Sequence, residues 1–150
     1  MEWRFLEPND FEWMMYVSVE HHEESDWSEV KYDEGKVAKY VDSMINDPNY
    51  FGIVALKDGE RIGFVAGRML EYNFSREKFA RELELYVEPT KRNGMAGIFM
   101  MRKFMDWAKM NGAYEVYFEP RLSDNETKKF DAMAKRLGME HFANAYRRKL

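Results

Sequence analysis

Apolar and polar residues recur along the chain with two different periods. Alternation with a period of two predicts strands, and apolar residues three or four positions apart predict amphipathic helices. The predicted strands cover 3–6, 50–56, 61–69, 79–88, 114–119 and 141–147. The predicted helices cover about 11–22, 33–45, 97–108 and 125–137. The acidic stretch 20–29 is predicted to be looped. No linker, internal repeat or low-complexity tract interrupts this order. The pattern therefore predicts one α/β domain over residues 1–150.

One stretch joins a strand to a helix through a glycine-rich turn. Pro89 ends the strand because proline cannot donate to a sheet ladder. Gly94 and Gly97 follow just before the apolar run of the helix. The first N–H groups of a helix have no internal acceptor and carry the positive end of the dipole, so such a turn can bind an anion. The glycines by themselves are weak evidence, since they also occur at such junctions for steric reasons.

The register of the whole stretch is more specific than its glycines. It resembles the coenzyme A-binding motif of the GNAT N-acetyltransferase superfamily, V-x-P-x-x-R-G-x-G-x-G-x-x-L-L, followed by a helix ending in A-x-x-x-G. The matching residues are Val87, Pro89, Arg92, Gly97, Ala108 and Gly112. Met95 stands at the middle glycine, with Gly94 beside it. In a register shifted by one, Lys91-x-x-Gly94-x-Ala96 resembles the shorter Q/R-x-x-G-x-G/A form with lysine in the first place.

The order of the predicted elements, β-α-α-β-β-β-α-β-α-β, is also similar to that of the GNAT family over nearly the whole chain. The resemblance implies a mixed, mostly antiparallel sheet flanked by about four helices and splayed between its fourth and fifth strands, 79–88 and 114–119. It also implies acetyl-CoA as cofactor, with the pantetheine arm in the splay. The residues that it assigns to the cofactor are Leu85, Tyr86, Val87, Arg92, Asn93, Gly94, Met95, Ala96, Gly97 and Asn125.

Acetyl transfer to an amine is helped by a base that takes up the amine proton. Glu82, Glu84 and Glu119 are candidates because they lie on the two strands that the resemblance places beside the cofactor. The segment from Glu119 to Asn125 is similar to the E-x-R-x-S-N segment of bacterial protein N-terminal acetyltransferases, in which the glutamate is the base, with one extra residue before Asn125. Glu84 and Glu119 are therefore the predicted catalytic residues. The alternative for each is a solvated or ion-paired strand residue.

The last predicted helix departs from the family pattern. GNAT enzymes usually carry a tyrosine there that acts as an acid towards the coenzyme A sulfur, and the count back from Gly138 puts Ala134 in its place. A water or another tyrosine could supply the proton, or the thiolate could leave unassisted. The alternative function is a non-catalytic acyl-CoA-binding or protein-interaction module with a GNAT fold.

Composition and charge exclude several other classes of protein. Without cysteine the chain has no disulfide framework, thiolate metal site or cysteine nucleophile. The net charge of −4 argues against binding nucleic acid. No apolar run reaches the roughly 20 residues of a membrane helix, and no signal peptide is evident, so a cytoplasmic protein is expected. We expect no metal at His21 and His22, because adjacent helical side chains point about 100° apart.

The acceptor is predicted from charge alone. Seven carboxylates crowd the segment that in GNAT folds walls the acceptor site, namely Glu20, Glu23, Glu24, Asp26, Glu29, Asp33 and Glu34. Such a field favours a cationic acceptor, although a solvated acidic loop would have the same composition. The sequence thus predicts transfer of an acetyl group from acetyl-CoA to a primary amine on a small molecule or a peptide. Homodimers are common in the family, and these residues neither require nor exclude one.

Overall fold

The computed structural model describes residues 1–92, 94–119, 124–143 and 145–150, and at 124–126 it describes the backbone alone. The elements in chain order are β1 (Glu2–Phe5), α1 (Phe11–Glu24), α2 (Glu34–Asn46), β2 (Tyr50–Lys57), β3 (Glu60–Glu71), β4 (Lys78–Val87), α3 (Ala96–Met110), β5 (Ala113–Tyr117) and α4 (Asp124–Arg136). The strands form one sheet in the order β1-β2-β3-β4-β5. All neighbours are antiparallel except β4 and β5, which are parallel. The predicted mixed, mostly antiparallel sheet with four helices is confirmed.

Helices cover both faces of the sheet, so its strands are buried on two sides. One face packs against α3, and the other packs against α1 and α2. The buried residues on the α3 side are Phe51, Ile53, Ala55, Ile62, Val65, Ala80, Ala96, Met100, Phe104 and Ala108. Those on the side of α1 and α2 are Leu6, Met14, Val17, Val41, Met44, Val54, Phe64, Ala66 and Tyr86.

A bulge in β4 reverses its alternation between these two faces. The pairing with β3 shifts register between Ala66 and Gly67, which leaves Leu83 as an extra residue in β4. Ala80 packs with α3 while Tyr86 packs on the opposite face, although a regular strand would put residues six positions apart on one face. The extra residue of the bulge shifts the alternation of faces by one position and bends the strand. Strict alternation over the predicted strand 79–88 would put Leu83 on the same face as Leu85 and Val87, and the bulge breaks that pattern.

The predicted last strand over 141–147 is wrong for its described residues, 141–143 and 145–147, none of which lies in a strand. Alternation specifies a strand only where one face becomes buried. Here Phe142 is 73% exposed and Tyr146 is 95% exposed. The segment instead makes isolated contacts, such as the Phe142 ring 5.8 Å from that of Tyr117.

The predicted loop over 20–29 is also wrong in its first half, because α1 continues to Glu24. Tertiary contacts extend the helix by about one turn. The His21 ring packs edge-on against Tyr86 at 5.9 Å, and the His22 ring lies 5.3 Å from Tyr32. The helix then ends at Ser25, whose N–H donates to the carbonyl of His22.

A buried carboxylate ties the start of the chain to the sheet. Asp10 is fully buried and accepts hydrogen bonds from Arg4 at 2.6 and 2.9 Å, from Arg61 at 2.8 Å and from the N–H of Glu7 at 2.8 Å. Burial by itself would raise the pKa of Asp10, but these hydrogen bonds outweigh it and lower the pKa to about 2. The carboxylate is therefore charged and fully bonded at neutral pH.

We expect Asp10→Ala to lower the free energy of unfolding by about 3–5 kcal/mol, because it leaves two arginines without their shared partner. The pKa of Asp10 is lower in the folded than in the unfolded chain, so its contribution is complete above about pH 4 and is lost as the pH falls towards 2. Urea denaturation at pH 7 and pH 2.5 should show a difference from wild type that narrows in acid. Asp42→Ala, at an exposed position of α2, is the control and should change the stability by less than about 0.5 kcal/mol.

Candidate active site

The strands β4 and β5 part halfway along the sheet. They pair from Lys78 to Arg81 on β4, against Ala113 to Tyr117 on β5. Among the strands that the structure describes, β3 is the one partner of β4 from Glu82 to Val87. The result is an opening, bounded by the second half of β4 on one side and the end of β5 on the other. The splay predicted between the fourth and fifth strands is confirmed.

The main-chain groups that face this opening are those of Leu85 and Val87. The N–H of Glu88 donates to the carbonyl of Ile62 at 3.0 Å, and residues of an antiparallel pair alternate between bonding inwards and outwards. Tyr86, two residues before Glu88, therefore bonds to β3, while Leu85 and Val87 direct their N–H and carbonyl groups away from it. The carbonyl of Val87 accepts a hydrogen bond from Arg92 Nε at 2.9 Å.

The turn after β4 leads directly into the N-terminus of α3. A short 3-10 turn at Pro89–Lys91 follows the strand, and the N–H of Gly94 donates to the carbonyl of Lys91 at 3.2 Å. Met95 precedes α3 and gives it no side-chain cap, and its first turn holds no acidic residue. The N–H groups of Ala96 and the next two residues thus lack an acceptor within the helix, and no carboxylate of the same turn lies beside them. Asn93 lies outside the described residues.

Neither glycine of this turn is required by the backbone. Gly94 and Gly97 do not have the left-handed conformation found at Gly112. A Cβ at Gly94 would lie 3.4 Å from the carbonyl oxygen of Lys91, and one at Gly97 would lie 3.6 Å from the sulfur of Met133 on α4. A methyl group would therefore fit at either position. The contact with Met133 also places α4 against the start of α3.

Three carboxylates gather where the strands part. The pKa of Glu82 is raised to about 7, mainly by burial and also by the charges of Glu84 and Glu119, while the Glu119 N–H and Arg81 oppose the rise. Burial alone raises the pKa of Glu84 to about 7. Beyond the bulge, Glu84 lies on the same face of β4 as Tyr86, towards α1 and α2. The structure therefore brings the predicted residues Glu84 and Glu119 to one region, with Glu82 between them.

Glu119 differs from the two strand glutamates in its surroundings. Its side chain is 48% exposed and pairs with Arg81, with 2.5 Å between Arg81 Nη2 and Glu119 Oε1. The rest of its predicted motif, Pro120 to Ser123, lies outside the described residues, as does the side chain of Asn125. Glu119 is thus ion-paired with Arg81 in this structure.

The end of α1 forms a wall beside the second half of β4. The hydroxyl of the buried Tyr86 donates to Glu20 at 3.4 Å, and the ring of His21 packs on that of Tyr86. Burial raises the pKa of Tyr86 to about 12, and the charge of Glu20 adds to the shift. Burial lowers the pKa of His21, which keeps its ring neutral at pH 7. An ion pair joins Glu24 Oε2 to Arg92 Nη2 at 2.6 Å.

This arrangement can hold an extended ligand along the edge of β4 and an anion at the start of α3, and it offers a carboxylate that gains or loses a proton near neutral pH. The Acetyltransferase (GNAT) family model matches residues 10–139 of the chain. The protein belongs to this family. A search of curated proteins found no match.

Solved acetyltransferases share the fold at low sequence identity. An aminoglycoside acetyltransferase from an uncultured soil metagenomic sample superposes with a TM-score of 0.73 at 16% identity, over 99% of this chain and 97% of that one. A second soil aminoglycoside acetyltransferase, solved in complex with sisomicin, gives 0.70 at 18% identity, over 99% and 96%. The ribosomal-protein-alanine N-acetyltransferase of Brucella melitensis biovar Abortus 2308 gives 0.67 at 13% identity, over the full length of both chains. These likenesses establish the fold.

Ala134, which stands where the family pattern has its tyrosine, is half-buried near the end of α4. Its carbonyl accepts the N–H of Leu137 and of Met139, each at 3.0 Å. The chain turns at Gly138, which has a φ of 73°, so the helix has a glycine C-cap. No hydroxyl or other acid is present at Ala134 itself.

The acidic segment 20–34 is partly neutralised by ion pairs and hydrogen bonds with other groups of the chain. Glu24 pairs with Arg92, as described above, and Glu29 pairs with Lys149 at 2.5 Å. Asp33 caps α2 by accepting the N–H of Lys36 at 2.9 Å. The field expected from seven carboxylates is therefore reduced. Glu20 remains beside Tyr86 on the inner side of this wall.

Sequence reasoning missed the residues of α1 that approach the opening. Glu20 and His21 lie where the predicted helix 11–22 and the predicted acidic loop 20–29 overlap, and no contact with β4 was predicted for them. It also missed Tyr40 of α2, whose pKa is raised by burial and further by the charges of Glu84 and Glu82. Helical spacing of Tyr40 with its apolar neighbours indicated only a packed face, and no local signal marks its approach to β4.

Two general features concern metals and membranes. Within the described part of the chain, no three His, Asp or Glu side chains lie close enough together to hold a metal ion. None of the helices that the structure describes is long and apolar enough to span a bilayer.

The raised pKa of Glu84 has a consequence for stability. The folded chain holds this proton more tightly than the unfolded chain, so stability falls as the pH rises from about 4 to about 7. Glu84→Gln has no proton to lose, and we expect it to resist urea better than wild type at pH 8 but not at pH 4. Glu12→Gln, which removes an exposed carboxylate from α1, is the control. If Glu84→Gln is less stable than wild type at pH 8, the ionised carboxylate of Glu84 does not destabilise the fold.

Proposed function

We propose that the protein is an N-acetyltransferase that moves an acetyl group from acetyl-CoA to a primary amine. The observation that carries the proposal is the opening between β4 and β5, where a free strand edge, an uncapped helix N-terminus and carboxylates of raised pKa meet. Membership of the GNAT family supports the transferase activity. The finer assignments below are inferred from the chemistry of the residues.

The described residues fit the cofactor. The outward N–H and carbonyl groups of Leu85 and Val87 would bond to the amides of the pantetheine arm, as a further strand would. The N–H groups from Ala96 onward would bind the pyrophosphate, because they are unpaired within the helix and carry its positive dipole end. Bound acetyl-CoA would supply an activated thioester.

Glu84 is the base best supported by its surroundings. A carboxylate with a pKa of about 7 is ionised in a large fraction of molecules at neutral pH and is basic enough to take a proton from an ammonium group. Glu119 is less suited, since its exposed carboxylate is paired with Arg81. An outward N–H of β4 would donate to the oxygen on which negative charge develops during transfer.

The acceptor is a small molecule with a cationic amine. Glu20, which bonds to Tyr86, and Glu84 lie on the side of the opening that faces α1 and α2, and carboxylates there would attract and orient a cation. Two structural relatives are aminoglycoside acetyltransferases, one of them solved in complex with sisomicin. A peptide amine is the competing acceptor class.

The first experiment is a screen of amines with acetyl-CoA, monitored by release of the coenzyme A thiol. We expect release that depends on the amine and is faster with polyamines and aminoglycosides than with neutral amines or peptides. Ala134, in place of the family's tyrosine, makes a non-catalytic acyl-CoA-binding module the second candidate. Tight binding of acetyl-CoA without amine-dependent release would favour that candidate.

The cofactor site can be tested with two matched glycines. Gly97 is the second residue of α3, and Gly35 is the second residue of α2. We expect Gly97→Val to weaken coenzyme A binding by about tenfold or more, equivalent to about 1.4 kcal/mol, because the larger side chain meets Met133 of α4 and displaces the first turn of α3, whose N–H groups would bind the pyrophosphate. Gly35→Val should leave the affinity unchanged. Calorimetry on folded variants measures both, and equal affinities for Gly97→Val and wild type would contradict the assignment.

The base can be tested with Glu84→Gln and Glu119→Gln. The wild-type rate should rise with pH through about 7, because protonated Glu84 cannot accept the amine proton. We expect Glu84→Gln to lose on the order of a hundredfold in rate and to lose this acidic limb, with acetyl-CoA binding little changed. Glu119→Gln should retain the rise of the rate with pH through about 7. If both variants keep the wild-type rate and pH profile, neither residue is the base.

A further inference from the structure

Arg92 lies at the junction of the opening, the turn and α1. Its Nη2 is 2.6 Å from Glu24 Oε2, and its Nε donates to the carbonyl of Val87 at 2.9 Å. Its guanidinium carbon lies 6.0 Å from the centre of the Tyr86 ring. Three partners from two elements therefore hold one guanidinium, and it is still 34% exposed.

These contacts use the groups that an anionic ligand of this site would need. The carbonyl of Val87 is one of the few main-chain groups that face the opening, and Arg92 covers it. The Nη2 end of the guanidinium is bonded to a carboxylate, and a phosphate would bind through the same fork of N–H groups. Glu24 and a phosphate are therefore alternative partners for Arg92.

We propose that the Glu24–Arg92 ion pair is a latch that competes with the cofactor for Arg92. The proposal rests on the proposed function, in which the anion is coenzyme A. Binding of coenzyme A exchanges Glu24 for a phosphate at the guanidinium and uncovers the carbonyl of Val87. Glu24 thus sets the cofactor affinity although it belongs to α1, 68 residues from Arg92 in the chain, and touches no reacting atom.

The latch also connects the two halves of the site. The last two turns of α1 carry Glu20 and His21, which contact Tyr86, and the Arg92–Glu24 pair fixes the end of the same helix to the cofactor turn. Release of Arg92 removes that attachment. The acceptor wall is therefore held most firmly when the cofactor is absent.

The test is a double-mutant cycle on coenzyme A affinity, measured by calorimetry at low salt for wild type, Glu24→Gln, Arg92→Ala and the double variant. Because Glu24 competes for Arg92, we expect Glu24→Gln to bind coenzyme A more tightly than wild type. The expected gain is about two- to fivefold, which corresponds to the free energy that a partly exposed ion pair contributes. In the Arg92→Ala background, Glu24→Gln should not change the affinity for coenzyme A, because the guanidinium for which Glu24 competes is absent. Glu23→Gln removes an equal charge from the next position of α1 and should change the affinity less than Glu24→Gln does.

Several results would overturn the latch. Equal or weaker binding by Glu24→Gln would show that Glu24 does not compete. Tighter binding that persists with Arg92→Ala, or that Glu23→Gln reproduces, would show that only the overall charge of α1 matters. If wild type binds coenzyme A and only the Glu24 effect is missing, the latch alone fails. If wild type binds no coenzyme A, the proposed function and the latch fail together.

Discussion

The structure depends on β4 having two neighbours at its start and only one at its end. Up to Arg81 it pairs with both β3 and β5, and from Glu82 onward it pairs with β3 alone. The bulge at Leu83 lies at this transition and reverses which face each later residue occupies. The free strand edge follows from the end of the pairing with β5, and the face on which Glu84 lies follows from the bulge.

The opening is costly to maintain, because it keeps polar groups where the sheet could otherwise close. Burial raises the pKa of Glu82 and of Glu84 to about 7, so their ionised forms are disfavoured in the folded chain. The charge of Glu84 further raises the pKa of Glu82. A domain that retains such carboxylates gives up stability for a group that exchanges protons near neutral pH, and this exchange is the main chemical capacity of the site.

Charge around the opening is balanced by the chain itself. Arg81 pairs with Glu119, and Arg92 pairs with Glu24. On β1 and β3, away from the opening, Arg4 and Arg61 both pair with Asp10. The difference between these pairs is burial: the carboxylate of Asp10 is wholly enclosed and fixes the fold, whereas the pairs at the opening are partly exposed. Partners in exposed pairs can be exchanged for those of a ligand at small cost.

The sequence by itself determined the order of the elements from β1 to α4, the turn before α3 and the family to which the chain belongs. Periodicity and turn chemistry act over a few residues, so they can be read without the fold. Only the tertiary structure decided that Glu119 pairs with Arg81, that Arg92 pairs with Glu24, that α1 extends to Glu24 and that residues 141–143 and 145–147 form no strand. These features depend on which surfaces meet across long stretches of chain, 38 residues for Arg81 and Glu119, and no local pattern specifies such a meeting.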